Sequence, residues 1–115
     1  MNNMSPQLQN QIAQFQQVQQ QLQVTSNQKI QMEAQKREME RTIEELGKAE
    51  GDVYKNVGSL LMKVSDKEEV KNEIQESVET MEIRIKSLDR QEKGLREKYE
   101  NLQAVINKSL GQGTE

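Results

Sequence analysis

Residues 47–69 read GKAEGDVYKNVGSLLMKVSDKEE, the one stretch of the chain that does not continue an amphipathic helical pattern. Within it Val53-Tyr54-Lys55-Asn56-Val57 and Leu60-Leu61-Met62-Lys63-Val64 are β-branched or apolar runs separated by Gly58-Ser59. Glycine at the first central position suits a two-residue type II′ hairpin turn, which pairs Val57 with Leu60 and Val53 with Val64. Side chains alternate along a strand, so Val53, Val57, Leu60, Met62 and Val64 share one face, with Lys55 the misfit among them. Tyr54, Asn56, Leu61 and Lys63 share the other. A lone two-stranded ribbon is marginal in water and leaves both edges unpaired. Folded back on its own helices it would find little to lie on. The expectation is therefore an assembly device formed by Val53, Tyr54, Val57, Gly58, Leu60, Leu61, Met62 and Val64.

Outward from the hairpin the pattern is helical on both sides. Ser5-Pro6 is a helix start, with serine as the cap and proline at the first helical position, where its missing N–H is not needed. Positions spaced by three and four then run Leu8, Gln11, Phe15, Val18, Leu22, Thr25, Lys29, Met32, Lys36, Met39, Ile43 and Leu46, a heptad seam. Gly47 follows where a left-handed residue ends a helix, so the first helix is expected over 6–46, about 60 Å at 1.5 Å per residue. Ser65-Asp66-Lys67-Glu68 reads as a capping box. The second seam is Ile74, Val78, Met81, Ile85, Leu88, Glu92, Leu95, Tyr99, Leu102 and Ile106. A second helix is expected over 66–110 and a flexible tail over 111–115.

Two seams of similar length flanking the 53–64 hairpin predict a mainly α fold. Its core is a long antiparallel two-helix coiled coil joined by one β-hairpin, a single elongated domain over 1–115. A parallel dimer of long helices would leave the hairpin unexplained. The register that matches the seams puts Ile43 with Ile74, Met39 with Val78, Met32 with Ile85, Leu22 with Leu95, Val18 with Tyr99 and Phe15 with Leu102. Thr25 then faces Glu92, a polar layer of the kind that fixes register. Gln7 to Gln28 contains no charged residue and its surface positions are mostly glutamine. Its apolar periodicity and the helix propensity of glutamine favour helix over a disordered tract.

Apolar residues exceed the needs of the seam at the end remote from the hairpin. Met1, Met4, Leu8, Ile12 and Phe15 on one helix, with Leu102, Val105, Ile106 and Leu110 on the other, are the candidate contact site for a partner protein, since surplus exposed apolar surface marks such sites and methionine adapts to irregular partners. Ile30 and Ile83 lie off the seams as scattered surface residues.

The composition is 32% hydrophobic and 30% charged, with a net charge of −3 and no basic block. It is too polar for a thick globular core and lacks the electrostatics for a nucleic-acid or anionic membrane partner. No apolar run approaches a membrane span or signal-peptide core, and cysteine is absent, pointing to a soluble cytoplasmic chain without disulfides or thiolate metal sites. Histidine is absent too, and no phosphate-binding glycine loop occurs. The expectation is no enzyme, no catalytic residue, no metal and no cofactor.

The run Val53-Tyr54-Lys55-Asn56-Val57-Gly58 turning into Leu60-Leu61-Met62, restarting at Ser65-Asp66-Lys67-Glu68-Glu69 between two heptad helices, resembles the β subunits of archaeal prefoldin. The α-type subunits carry a second hairpin, and this chain has one. The resemblance implies a hexamer of two α-type subunits and four β copies, with hairpins joined into intersubunit β-barrels and coiled coils hanging as tentacles. It implies an ATP-independent chaperone that captures unfolded client proteins and passes them to a cytosolic group II chaperonin. The competing reading from the residues alone is a structural coiled-coil tether or spacer docking one defined partner.

Overall fold

The computed structural model describes residues 5–113, of which Gln112 and Gly113 are described by backbone only. Four elements follow in order: helix α1 (Pro6–Lys48), strands β1 (Tyr54–Val57) and β2 (Leu60–Lys63), and helix α2 (Lys67–Gly113). They are those of an antiparallel two-helix chain with one hairpin between the helices. The single elongated domain over 1–115 stays an expectation, because packing within the chain divides into two compact units. One is built from the N-terminal part of α1, to Lys29, with α2 from Ser87; the other is the segment Ile30–Lys86 with the hairpin.

In the first unit α1 starts as its sequence dictates. The Leu8 amide donates to Ser5 Oγ at 3.1 Å and the Gln9 amide to the Ser5 carbonyl at 3.0 Å, so Ser5 satisfies donors that the first helical turn would leave open. The seam side chains turn inward. Leu8, Val18 and Ile106 are buried, Thr25 is buried among them, and Phe15, Leu22, Leu95, Tyr99 and Leu102 are half-buried. A two-helix layer gives each seam residue cover from one side only, so most remain partly wet.

The second unit holds Leu46 and Val78 buried, with Val78, 2% exposed, the most enclosed side chain. Met32, Met39, Ile43, Ile74, Met81 and Ile85 are half-buried around the same seam. Three expectations change, two of them in this unit and one at the end of α2. Helix α1 passes through Gly47 to Lys48, and the Ala49 amide still donates to the Glu45 carbonyl at 3.0 Å. The left-handed glycine is instead Gly51, with φ of 89°, so the chain leaves the helix later than 46. Asp66, not Ser65, caps α2: its Oδ1 accepts from the amides of Glu68 at 3.1 Å and Glu69 at 3.4 Å, the carboxylate being the stronger acceptor at a positive helix end. Gly111, Gln112 and Gly113 belong to α2 and not to a tail from 111. Glycine costs a helix about 1 kcal/mol relative to alanine, but extending an existing helix needs no new nucleus. Thr114 and Glu115 lie outside the described residues.

The hairpin has the expected register. Val57 faces Leu60, Asn56 faces Leu61, Lys55 faces Met62 and Tyr54 faces Lys63. The Val64 amide donates to the Val53 carbonyl at 2.8 Å, carrying the pairing one step further. Gly58 has φ of 62° and Ser59 has no positive φ. That combination is type II′, since type I′ needs both central residues positive.

Candidate assembly hairpin and helix-end site

All eight strand residues are exposed, among them Tyr54 (52%), Val57, Leu60, Leu61 (66%) and Met62. Val53 and Val64 at the base are half-buried. A ribbon with apolar side chains uncovered on both faces and two unpaired edges stabilises itself poorly. Two polar ties hold its base: Lys63 Nζ lies 3.6 Å from Asp52 Oδ1, and Lys67 Nζ donates to the Ala49 carbonyl at 2.8 Å. The latter places a cation on the carbonyl end of α1, where the helix dipole favours it.

The candidate partner-contact residues separate by exposure. Val105 and Leu110 are exposed, at 42% and 47%. Ile12, Phe15 and Leu102 are half-buried, while Leu8 and Ile106 are buried within the unit. Met1 and Met4 lie outside the described residues. The surplus apolar surface thus rests on Val105, Leu110 and part of Ile12, whereas Leu8 and Ile106 act as core. Val24, Ile30 and Ile83 are also exposed, and nothing in the structure explains them.

Two features of the same unit escaped the sequence. Phe15 stacks on Tyr99, with ring centroids 4.7 Å apart and planes at 29°, a contact between residues of two neighbouring expected layers, Phe15–Leu102 and Val18–Tyr99. Large rings reach into the next layer, and offset stacking adds about 0.5–1.5 kcal/mol beyond burial. The polar layer is also larger than Thr25 facing Glu92. Ser26 Oγ donates to Glu92 Oε2 at 2.6 Å, and Lys29 Nζ lies 2.8 Å from Asp89 Oδ1 and 3.4 Å from Glu92 Oε1. The signal was available in the seam itself, which carries Lys29 and Glu92 where apolar residues belong.

The electrostatics follow these contacts. The hydrogen bond to Asp89 raises the Lys29 pKa against the opposing effect of burial. The Lys29 bond, with Lys93 beside it, lowers that of Asp89. The Ser26 hydroxyl, then Lys29, lowers that of Glu92. All three groups are held in their charged forms. Among the described residues no group of three His, Cys, Asp or Glu side chains is placed to hold a metal, and no helix is long and apolar enough to cross a membrane.

Comparison with known proteins accounts for this architecture. The family described as prefoldin subunit matches residues 9–113. The chain is 44% identical over 112 residues to the prefoldin subunit beta of Methanospirillum hungatei, covering 96% of this chain and 92% of that protein. It is 46% identical to the prefoldin subunit beta of Archaeoglobus fulgidus, covering 96% of each. The crystal structure of the prefoldin beta subunit from Thermococcus strain KS-1 superposes with a TM-score of 0.84 at 37% identity, covering 96% of this chain and 97% of that one. The helix–hairpin–helix order, the single hairpin and these matches over nearly its whole length establish that the chain belongs to the prefoldin subunit family, among its beta subunits.

Proposed function

We propose that this chaperone subunit works as an ATP-independent holdase. Its hairpin joins those of α-type subunits and further β copies into intersubunit β-barrels, in a cytoplasmic hexamer of two α and four β chains. Unfolded clients are captured at the helix ends through Met1, Met4, Ile12, Phe15, Leu102, Val105 and Leu110, with Leu8 and Ile106 as the core of that end, then handed to a group II chaperonin. No catalytic step and no cofactor enter. The observation that carries the reading is the hairpin: an apolar ribbon exposed along both strands has a physical reason to exist in an assembly and none in an isolated chain. Exposed Val105 and Leu110 offer each arm a small apolar contact, and several arms on one scaffold turn weak contacts into firm capture by raising effective concentration.

The test strips the helix ends. Met4, Leu8, Ile12, Val105 and Leu110 are changed together to Ser or Gln in the assembled complex with its α-type partner, and aggregation of several unrelated denatured proteins is followed beside native mass and circular dichroism. Loss of protection by a correctly sized, helical complex is the expected result. Full protection would place the clients elsewhere. Protection of a single partner by the unaltered complex would favour the tether reading, for which the burial of Leu8 and Ile106 is the supporting observation, since it leaves only a narrow contact.

A further inference from the structure

Heptad seams are periodic, so an antiparallel pair of them has near-equivalent registers one heptad apart, and something else must choose among these. The covalent connection does not. A heptad slip displaces the helices by about 10 Å at 1.5 Å per residue, and the segments Ala49–Val53 and Val64–Asp66 flanking the strands have the length to absorb that at about 3.3 Å per residue. The apolar layers do not choose either, because Leu22 meets a leucine in the expected register (Leu95) and in both slipped ones (Leu88 or Leu102). Surface charge on α1 is no help over its first half, where Gln7 to Gln28 carries none.

We propose that the Ser26–Lys29–Asp89–Glu92 cluster is the register lock of this helix pair, with the charge-free segment of α1 serving as its counterpart by refusing the slipped alternatives. Lys29 is the first charged residue of the chain, and it meets two carboxylates at once, at 2.8 and 3.4 Å, with side chains 20% exposed for Lys29 and 15% for Glu92. Ser26 takes the second oxygen of Glu92 at 2.6 Å. Lys93 and Arg96, the other charged groups at this level, flank Asp89 and Glu92 from α2 itself. Slipping one way sets Lys29 against Arg96 and Glu33 against Glu92, like charge against like, although Lys36 then comes level with Asp89 and Glu92. Slipping the other way leaves Asp89 and Glu92 facing Leu22 and Gln19, in a stretch without a cation, and only Lys29 itself finds another carboxylate. Either slip sets a half-buried charge against a like charge or leaves the two carboxylates without a cation from α1, and both outcomes are unfavourable. The second interhelical ion pair among the described residues, Lys36 with Glu82 at 3.5 Å, is longer and more exposed and holds less.

The test moves the lock by one heptad. Exchanging two seam residues, Leu22→Lys with Lys29→Leu, keeps the composition and the seam while placing the cation a heptad earlier. The full-length chain carries reporter cysteines at 15 and 102 for the native register, or at 15 and 95 for the slipped one, and intrachain bridges are quantified by mass after mild oxidation. The dominant bridge should switch from 15/102 to 15/95, the product ratio rising at least about tenfold. In the single variant Lys29→Leu, where added apolar seam protects the fold, both bridges should form. Circular dichroism on each sample confirms helicity. A bridge that stays at 15/102 in Lys29→Leu overturns the proposal, and so does a 15/102 bridge that persists in the helical exchange variant, because the seam or the connection would then set the register.

Discussion

The rings of Phe15 on α1 and Tyr99 on α2 stack with centroids 4.7 Å apart, joining two seam positions that simple layer matching assigns to different partners. A double-mutant cycle of Phe15→Leu and Tyr99→Leu measured by urea unfolding should return a coupling of about 0.5–1.5 kcal/mol. A coupling near zero would mean that the rings contribute burial alone.

Val57 and Met62 lie on the exposed hairpin, so in the free subunit an aspartate at either position meets water and leaves helicity unchanged. In an assembly that buries this face the same change costs several kcal/mol. Val57→Asp or Met62→Asp should therefore release subunits from the complex, seen by native mass spectrometry, while circular dichroism stays near that of the parent. An unchanged oligomer would exclude the hairpin as the contact.

The cap of α2 separates two neighbouring residues. Asp66→Ala removes an acceptor used by the amides of Glu68 and Glu69 and should cost about 1 kcal/mol. Ser65→Ala should cost a few tenths at most, as an exposed residue away from the cap. Thermal unfolding of the two variants distinguishes them, and equal losses would restore the capping box.

The Lys29 cluster gives stability a defined dependence on pH. The pKa values of Asp89 and Glu92 are lowered from their ordinary 3.8 and 4.5. Their contribution is present above those values and disappears as pH falls through the lowered ones. Lys29 is raised from 10.5, so its contribution holds below that value and is lost only as pH rises through the raised one. The gap in unfolding midpoint between the parent and Asp89→Asn/Glu92→Gln should be constant near neutral pH and close as pH falls below about 4. A gap that persists at lower pH would show that the pair acts by packing and not by charge.

Much of this protein was legible from residue order alone, because its fold rests on local rules. Helix periodicity, the Ser5-Pro6 start and the Gly58-Ser59 turn are decided by backbone sterics and by hydrogen bonds between near neighbours, which is why seam positions from Leu8 to Ile106 point inward and the hairpin register follows as read. Where two local signals competed, sequence could not rank them: Ser65 and Asp66 can each cap, Gly47 and Gly51 can each end a helix, and the choice depends on how Ala49, Lys67 and the hairpin base meet in space. Only the tertiary structure decided how the candidate contact residues divide, with the seam residues Leu8 and Ile106 covered while Val105 and Leu110 face outward, since a thin two-helix layer covers one side of each helix and the helices' mutual rotation selects which. It also decided that Ser26, Lys29, Asp89 and Glu92 meet. Residues sixty and more positions apart along the chain have no local rule to bind them, and the reach of their side chains across the seam is settled by packing.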